Sequence, residues 1–178
     1  MMETNQKVFK LTSFLLQYPT QQWLNEILTI KLEVDELHDS MSKLYLQSFL
    51  HYVETTPFQT LCENYVQTFD YHGIVTLHLT YNVFKDSRQR GEALIKLKQM
   101  FQQSNMEITT DELPDYLPLI LEFLSVAKDD QMEPILKMHH KSIEKLHEDL
   151  ASADSDYHFI LKAVCEVSNR KLARKDVS

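Results

Sequence analysis

GIVTLHLTYNVF, residues 73–84, can be read two ways, and the choice decides the fold. Val75, Leu77, Leu79 and Tyr81 alternate as on a half-buried strand, whereas Leu77, Tyr81 and Phe84 share one face of a helix. A lone strand has nothing here to pair with, so the segment is expected to be helical.

Working outward, the apolar residues recur at three and four. Val8, Leu11, Phe14, Leu15 and Tyr18 make an amphipathic helix stopped by Pro19, and Thr20 can cap a second one carrying Trp23, Leu24, Ile27 and Leu28. Asp39 or Ser40 opens a third, with Leu46, Phe49, Leu50 and Val53 on one side. Thr56-Pro57-Phe58-Gln59 reads as a capping box with proline at the first helical position, ahead of Leu61, Cys62, Tyr65, Val66 and Phe69. After the ambiguous segment, Asp86 or Ser87 starts a helix with Leu94, Leu97 and Phe101 inward. A helix is expected from the prolines at 114 and 118 to about Ala127. A box-like start at Asp130–Glu133 leads into Ile135, Leu136, His139, Ile143 and Leu146, and a last helix carries Tyr157, Ile160, Leu161 and Val164. The expectation is an all-α, single-domain bundle of roughly eight helices over residues 1–178, with a basic tail over about 170–178 fraying at the end.

Composition narrows the function. Two glycines, Gly73 and Gly91, and five prolines disfavour a barrel or sandwich of short strands, and exclude a glycine-rich phosphate loop. Cys62 and Cys165 share no CxxC spacing and read as small, reduced core residues. No secretory leader or membrane-length apolar run is present, so a cytoplasmic protein without direct membrane insertion is expected. A net charge of −8 argues against nucleic acid as partner. Between Glu107 and Glu133 lie eight acids and one base, nearly all of that net charge.

An enzyme reading finds little to stand on. Glu144 and His147 form a single E-x-x-H, with His140 one turn earlier, whereas di-iron bundles need two such motifs and two further glutamates. No metal site and no catalytic residue is expected. Glu112 and Asp115, three apart at a helix start, suit the positive end of the helix better than acid–base work.

Two stretches remain as candidate binding residues. In ENYVQTFDYHG, Tyr65, Phe69, Asp70 and Tyr71 gather near a helix end, where a carboxylate calls for a cation from Arg88, Arg90 or a ligand. In ELPDYLPLILEF, taking Asp115 as N-cap leaves only the Leu117 N–H for its carboxylate, because Pro118 has none. Pro114 keeps the approach extended. The corner then reads either as a capped helix start or as a rigid acidic point for a client Arg or Lys, formed by Glu112, Asp115, Tyr116 and Leu117.

YVQTFD (65–70), LHLTYNVFKDSRQRGEALIKLKQMF (77–101) and ELPDYLPLILEF (112–123), with VFKLTSFLLQYP at the start, together resemble the NarJ family. These are assembly chaperones for the molybdenum cofactor of respiratory nitrate reductase, within the TorD-like redox-enzyme maturation proteins. The resemblance implies a TorD-like helical chaperone with no catalysis of its own. It would bind the apo catalytic subunit through its N-terminal segment, hold it competent while the molybdenum–guanine dinucleotide cofactor is inserted, and leave before the finished enzyme forms. No cofactor would be held stably. Arg88, Arg90, Gly91, Pro114 and Pro118 would be structural parts of the matching motifs. The family pattern has histidine where this chain has Tyr116. The competing reading is a helical adaptor for another amphipathic basic peptide.

Overall fold

The computed structural model describes residues 4–70 and 75–173. The three-and-four spacing of Val8, Leu11 and Leu15 becomes the buried face of α1 (Thr4–Leu15), all three at most 1 % exposed. Thr20 caps α2 (Gln21–Asp35) as expected, its hydroxyl accepting from Trp23 N at 3.1 Å. There follow α3 (Ser40–Thr55), α4 (Phe58–Phe69), α5 (Leu79–Phe84), α6 (Arg88–Gln103), α7 (Leu117–Val126), α8 (Asp129–Ser152) and α9 (Tyr157–Ala173). The all-α expectation holds among the described residues.

One helix is mostly buried, with Glu122 and Val126 exposed. Leu117, Pro118, Ile120, Leu121, Phe123 and Leu124 are all buried, so α7 must lie in the interior. It packs on α1, α1 and α3 pack on α9, and α9 packs on α8, with α2 against α3 and α5 against α6 and α8. Ser13 of α1 donates to the Pro118 carbonyl at 2.7 Å, a buried polar tie between the two helices. No helix among the described residues is long and apolar enough to cross a membrane.

Several local expectations are corrected. Thr56 does not open α4; it closes α3 in an extended conformation (φ −109°, ψ 130°), which the following proline favours, and Pro57 itself stands before α4 without a side-chain cap. The start of α8 lies earlier than expected, with Gln131 Oε1 accepting from Lys128 N at 3.0 Å, so Pro134 falls inside the helix. At the other end, residues 170–173 are helical and tied down. Arg170 pairs with Asp39, and Lys171 Nζ reaches Asp129 Oδ1 at 2.7 Å. Arg170 beside it holds the Asp39 carboxyl down at about 2, against the modest opposing effect of burial. Arg174 and Lys175 lie outside the described residues.

Residues 75–84 show part of each reading. Residues 73–74 lie outside the described residues, Val75–Leu77 is not helical, His78 forms an isolated antiparallel bridge with Tyr116, and only Leu79–Phe84 is helix. The partner that a strand lacked is the proline-flanked stretch at 113–117. Helix α5 ends on Lys85 at φ 49°, a left-handed conformation that a lysine rarely adopts.

Gly91 lies exposed inside α6, and a Cβ built on it would meet nothing within 4 Å. Packing therefore does not demand glycine at this position. Gly91→Ala is expected to raise stability by about 1 kcal/mol, read as a higher urea midpoint at unchanged slope.

Candidate functional site

The bridge between the two extended segments builds the site. Leu117 N donates to Leu77 O at 2.9 Å and Leu79 N donates to Asp115 O at 3.1 Å. Ahead of it, Tyr116 N donates to Leu113 O at 3.0 Å, a tight turn with Pro114 at its second position, where proline is favoured. Tyr116 is thereby held extended (φ −67°, ψ 118°) as the residue before α7. Pro118 moves to the second helical position, where a missing N–H costs nothing. The Leu117 N–H assigned above to the Asp115 carboxylate is taken by a carbonyl instead.

Side chains alternate along an extended segment, so Asp115 and Tyr116 point opposite ways. Asp115 points inward and is 0 % exposed. Its Oδ2 accepts from Thr80 N at 3.2 Å and from Thr80 Oγ1 at 2.5 Å, and its Oδ1 meets His78 Nδ1 at 3.1 Å. Asp115 caps a helix after all, but that helix is α5, 35 residues earlier in the chain. Arg90 Nη2 stands 3.8 Å from Oδ2, and Arg90 Nε donates to Thr80 Oγ1 at 3.3 Å. Burial alone would raise this carboxyl; hydrogen bonds from His78 and Thr80, with the charges of His78 and Arg90, outweigh it and hold Asp115 below the ordinary carboxylate range. An acidic recognition point exposed to a partner is not what Asp115 forms.

Tyr116 points the other way, into a cleft. Its ring lies 5.4 Å from that of His78, and it lines the cleft with Tyr65, whose hydroxyl donates to Leu16 O at 3.0 Å. Tyr65 stacks at a tilt on Phe69, 5.0 Å away, and meets Tyr18 edge-on at 5.4 Å. Burial pushes the pKa of both Tyr65 and Tyr116 upward, so both stay neutral hydroxyls. These aromatics line a cavity of ≈ 300 Å³. Phe69, Asp70, Thr76 and His78 also line a neighbouring hollow of ≈ 710 Å³, which continues to Tyr81, Lys85, Asp86 and Arg90. The cleft is thus aromatic at one end and charged at the other, with Asp70 and His78 at its waist.

Of the candidate residues, Tyr65, Phe69, Asp70 and Tyr116 come together here. Leu117 does not: it is 0 % exposed in the core. Glu112 is exposed, close enough for its charge to raise Tyr65 and Tyr116, and it edges a separate hollow with Lys98, Phe101 and Leu113. Tyr71 lies outside the described residues. Arg90 answers Asp86 (3.6 Å) and Asp115, and Arg88 pairs with Glu92 at 3.3 Å. Sequence reasoning missed His78 and Thr80. The alternation of Val75, Leu77 and Leu79 was the signal for His78, since it turns the side chains between them to the other face; Thr80, inside α5, had no such signal. His140 pairs with Glu144 at 3.4 Å, and His147 faces His158 at 5.9 Å. Among the described residues no group of three or more His, Cys, Asp or Glu could hold a metal ion.

Comparison with known proteins identifies the family. Residues 35–158 match the family described as nitrate reductase delta subunit. A Bacillus subtilis protein named a probable nitrate reductase molybdenum cofactor assembly chaperone, NarJ, is 31% identical over 93% of this chain and 92% of its own length. The Escherichia coli chaperone NarW, named for the same role, is 28% identical over 75% of this chain and 58% of its own. A crystal structure of a candidate redox enzyme maturation protein from Archaeoglobus fulgidus superposes with a TM-score of 0.67 at 16% identity, over 90% of this chain and 91% of that one. At that identity it supports the bundle fold alone. With a family match over most of its length and a relative nearly as long as itself, this chain belongs to the nitrate reductase delta subunit family.

Proposed function

We propose that this chain is a single-domain cytoplasmic assembly chaperone for respiratory nitrate reductase. It binds the apo catalytic subunit through that subunit's N-terminal segment, and keeps it competent for insertion of the molybdenum–guanine dinucleotide cofactor before membrane docking. It then leaves, holding no cofactor of its own. The observation that carries this reading is the cleft in a chain of this family: an aromatic floor of Tyr65, Phe69 and Tyr116 joined to a charged end. An amphipathic peptide can lay its apolar face on the floor and set a basic side chain toward Asp70.

Calorimetric titration with a peptide of the catalytic subunit's N-terminus tests it. Phe69→Ala and Tyr116→Ala are each expected to weaken binding about tenfold, since a desolvated aromatic anchor contributes more than 1 kcal/mol. Added salt should weaken it further, because exposed Glu112 is close enough to Tyr65 and Tyr116 for its charge to act there, and such a field is screened beyond roughly 8 Å at physiological ionic strength. Equal binding of unrelated basic amphipathic peptides would favour the adaptor reading instead. Binding untouched by both variants would move the client off this cleft.

A further inference from the structure

His78 stands where the two halves of the cleft meet, with its side chain 29% exposed. One ring nitrogen is committed. Asp115 is a buried carboxylate that already accepts twice from Thr80, and an ionised carboxylate can only accept. The atom facing it, His78 Nδ1 at 3.1 Å, must therefore carry a proton. In the neutral imidazole the other nitrogen, Nε2, is then left with a lone pair. Among the described residues the hydrogen bond of the ring is the one at Nδ1.

We propose that His78 is a client-contact residue presenting Nε2 as a hydrogen-bond acceptor at the waist of the cleft, and that Asp115 is the positioning residue that fixes this tautomer. The proposal rests on the cleft being the client site, and it names what the client must offer there: an N–H or O–H donor. That donor sits where the peptide crosses from the aromatic floor to the charged end. The carboxylate acts on the peptide through the ring and never touches it.

The arrangement predicts an inversion. In Asp115→Asn, the amide oxygen can still accept from Thr80, which turns the amide NH₂ toward His78 Nδ1. That nitrogen must then accept, the proton moves to Nε2, and the acceptor in the cleft becomes a donor. Two variants at His78 separate the nitrogens. Asparagine can keep a donor near the Nδ1 position but reaches no further, whereas glutamine can place its carbonyl oxygen near the Nε2 position.

The test is nitrogen NMR of the imidazole at about pH 8, above the ordinary histidine range, with and without the client N-terminal peptide, alongside calorimetry. The wild type is expected to show a protonated Nδ1 and a bare Nε2 whose signal moves on adding peptide. Asp115→Asn should exchange the two signatures and weaken the peptide roughly tenfold or more; His78→Asn should weaken it roughly tenfold, and His78→Gln should recover most of the loss. His78 is part-exposed at a helix boundary, so its variants keep the test available if Asp115→Asn does not fold. A free wild type protonated at Nε2 overturns the positioning role. Peptide that binds without moving Nε2, or binds His78→Asn as it binds wild type, overturns the contact. Peptide that fails to bind wild type overturns the client site itself, and the contact with it.

Discussion

Replacing Asp115 with alanine is expected to destabilise the protein by about 3–5 kcal/mol, the cost of removing one partner from a buried charge pair. At its size this is roughly a 10 °C fall in melting temperature, read by circular dichroism. The magnitude follows from what would be left behind. Thr80 loses an acceptor for both its N–H and its hydroxyl, His78 Nδ1 loses its partner, and Arg90 keeps a charge answered among the described residues by Asp86 at 3.6 Å and the Tyr81 ring at 5.2 Å. The carboxylate is 0 % exposed, so the polar groups it leaves behind lose a partner largely away from solvent. Because the folded state holds this carboxyl below its ordinary 3.8, its contribution is complete above that value and is lost as the pH falls through the folded one. A loss within ±0.5 kcal/mol, the range of ordinary surface substitutions, would mean that Asp115 is not bound as described.

His139 supplies the second large effect, at milder acidity. It is 2 % exposed on α8, its Nε2 has no hydrogen-bond partner among the described residues, and burial pulls its pKa from 6.5 to about 4 despite the opposing charge of Asp115. The folded protein keeps this imidazole neutral while the unfolded chain protonates it. Its stability is therefore full above 6.5 and falls with pH until about 4, a loss on the order of 3 kcal/mol. His139→Leu removes both the titration and the unpartnered nitrogen. The variant is expected to be about 1 kcal/mol more stable at neutral pH and to lose less on acidification. Urea midpoints of both proteins at about pH 7.5 and 4.5 check this. His147 and His158 are also lowered chiefly by burial, so the quantity that matters is the difference between the two proteins. Parallel loss in both would assign the acid sensitivity to groups other than His139.

The bundle was legible because each long helix carries an uninterrupted three-and-four stripe, and stripe residues such as Leu46, Phe49, Leu97 and Leu146 are all buried. What misled was reading each segment alone. Asp115 looked like a cap for the helix that follows it, since proline, acid and apolar run stand in the right order. Its actual partners, His78 and Thr80, are set by a backbone pairing between segments 35 and more residues apart, and local propensity carries no information about that. The same pairing explains the mixed signal at 73–84, where a strand-like half meets a short helical one. Tyr65, Phe69 and Asp70 were legible as a group because Tyr65 and Phe69 lie one turn apart on α4 and Asp70 is its C-cap. That Tyr116 would join them depended on which way an extended residue faces, which the chosen helical register hid.

Helix α5 has a further consequence. It is six residues long, its first turn is capped by a distant aspartate, and it ends on a lysine in the left-handed region. A single turn and a half of helix does not persist in water on its own. Besides its packing on α6 and α8 it depends on residues 113–117 for its cap, so loosening that segment and fraying α5 are coupled rather than independent. Such an opening would unmake the wall of the cleft that carries His78, Tyr81 and Lys85 and leave the Tyr65–Phe69 floor on α4 standing. A bound segment touching both would hold the opening shut by mass action, and letting go of one would not require the bundle to unfold.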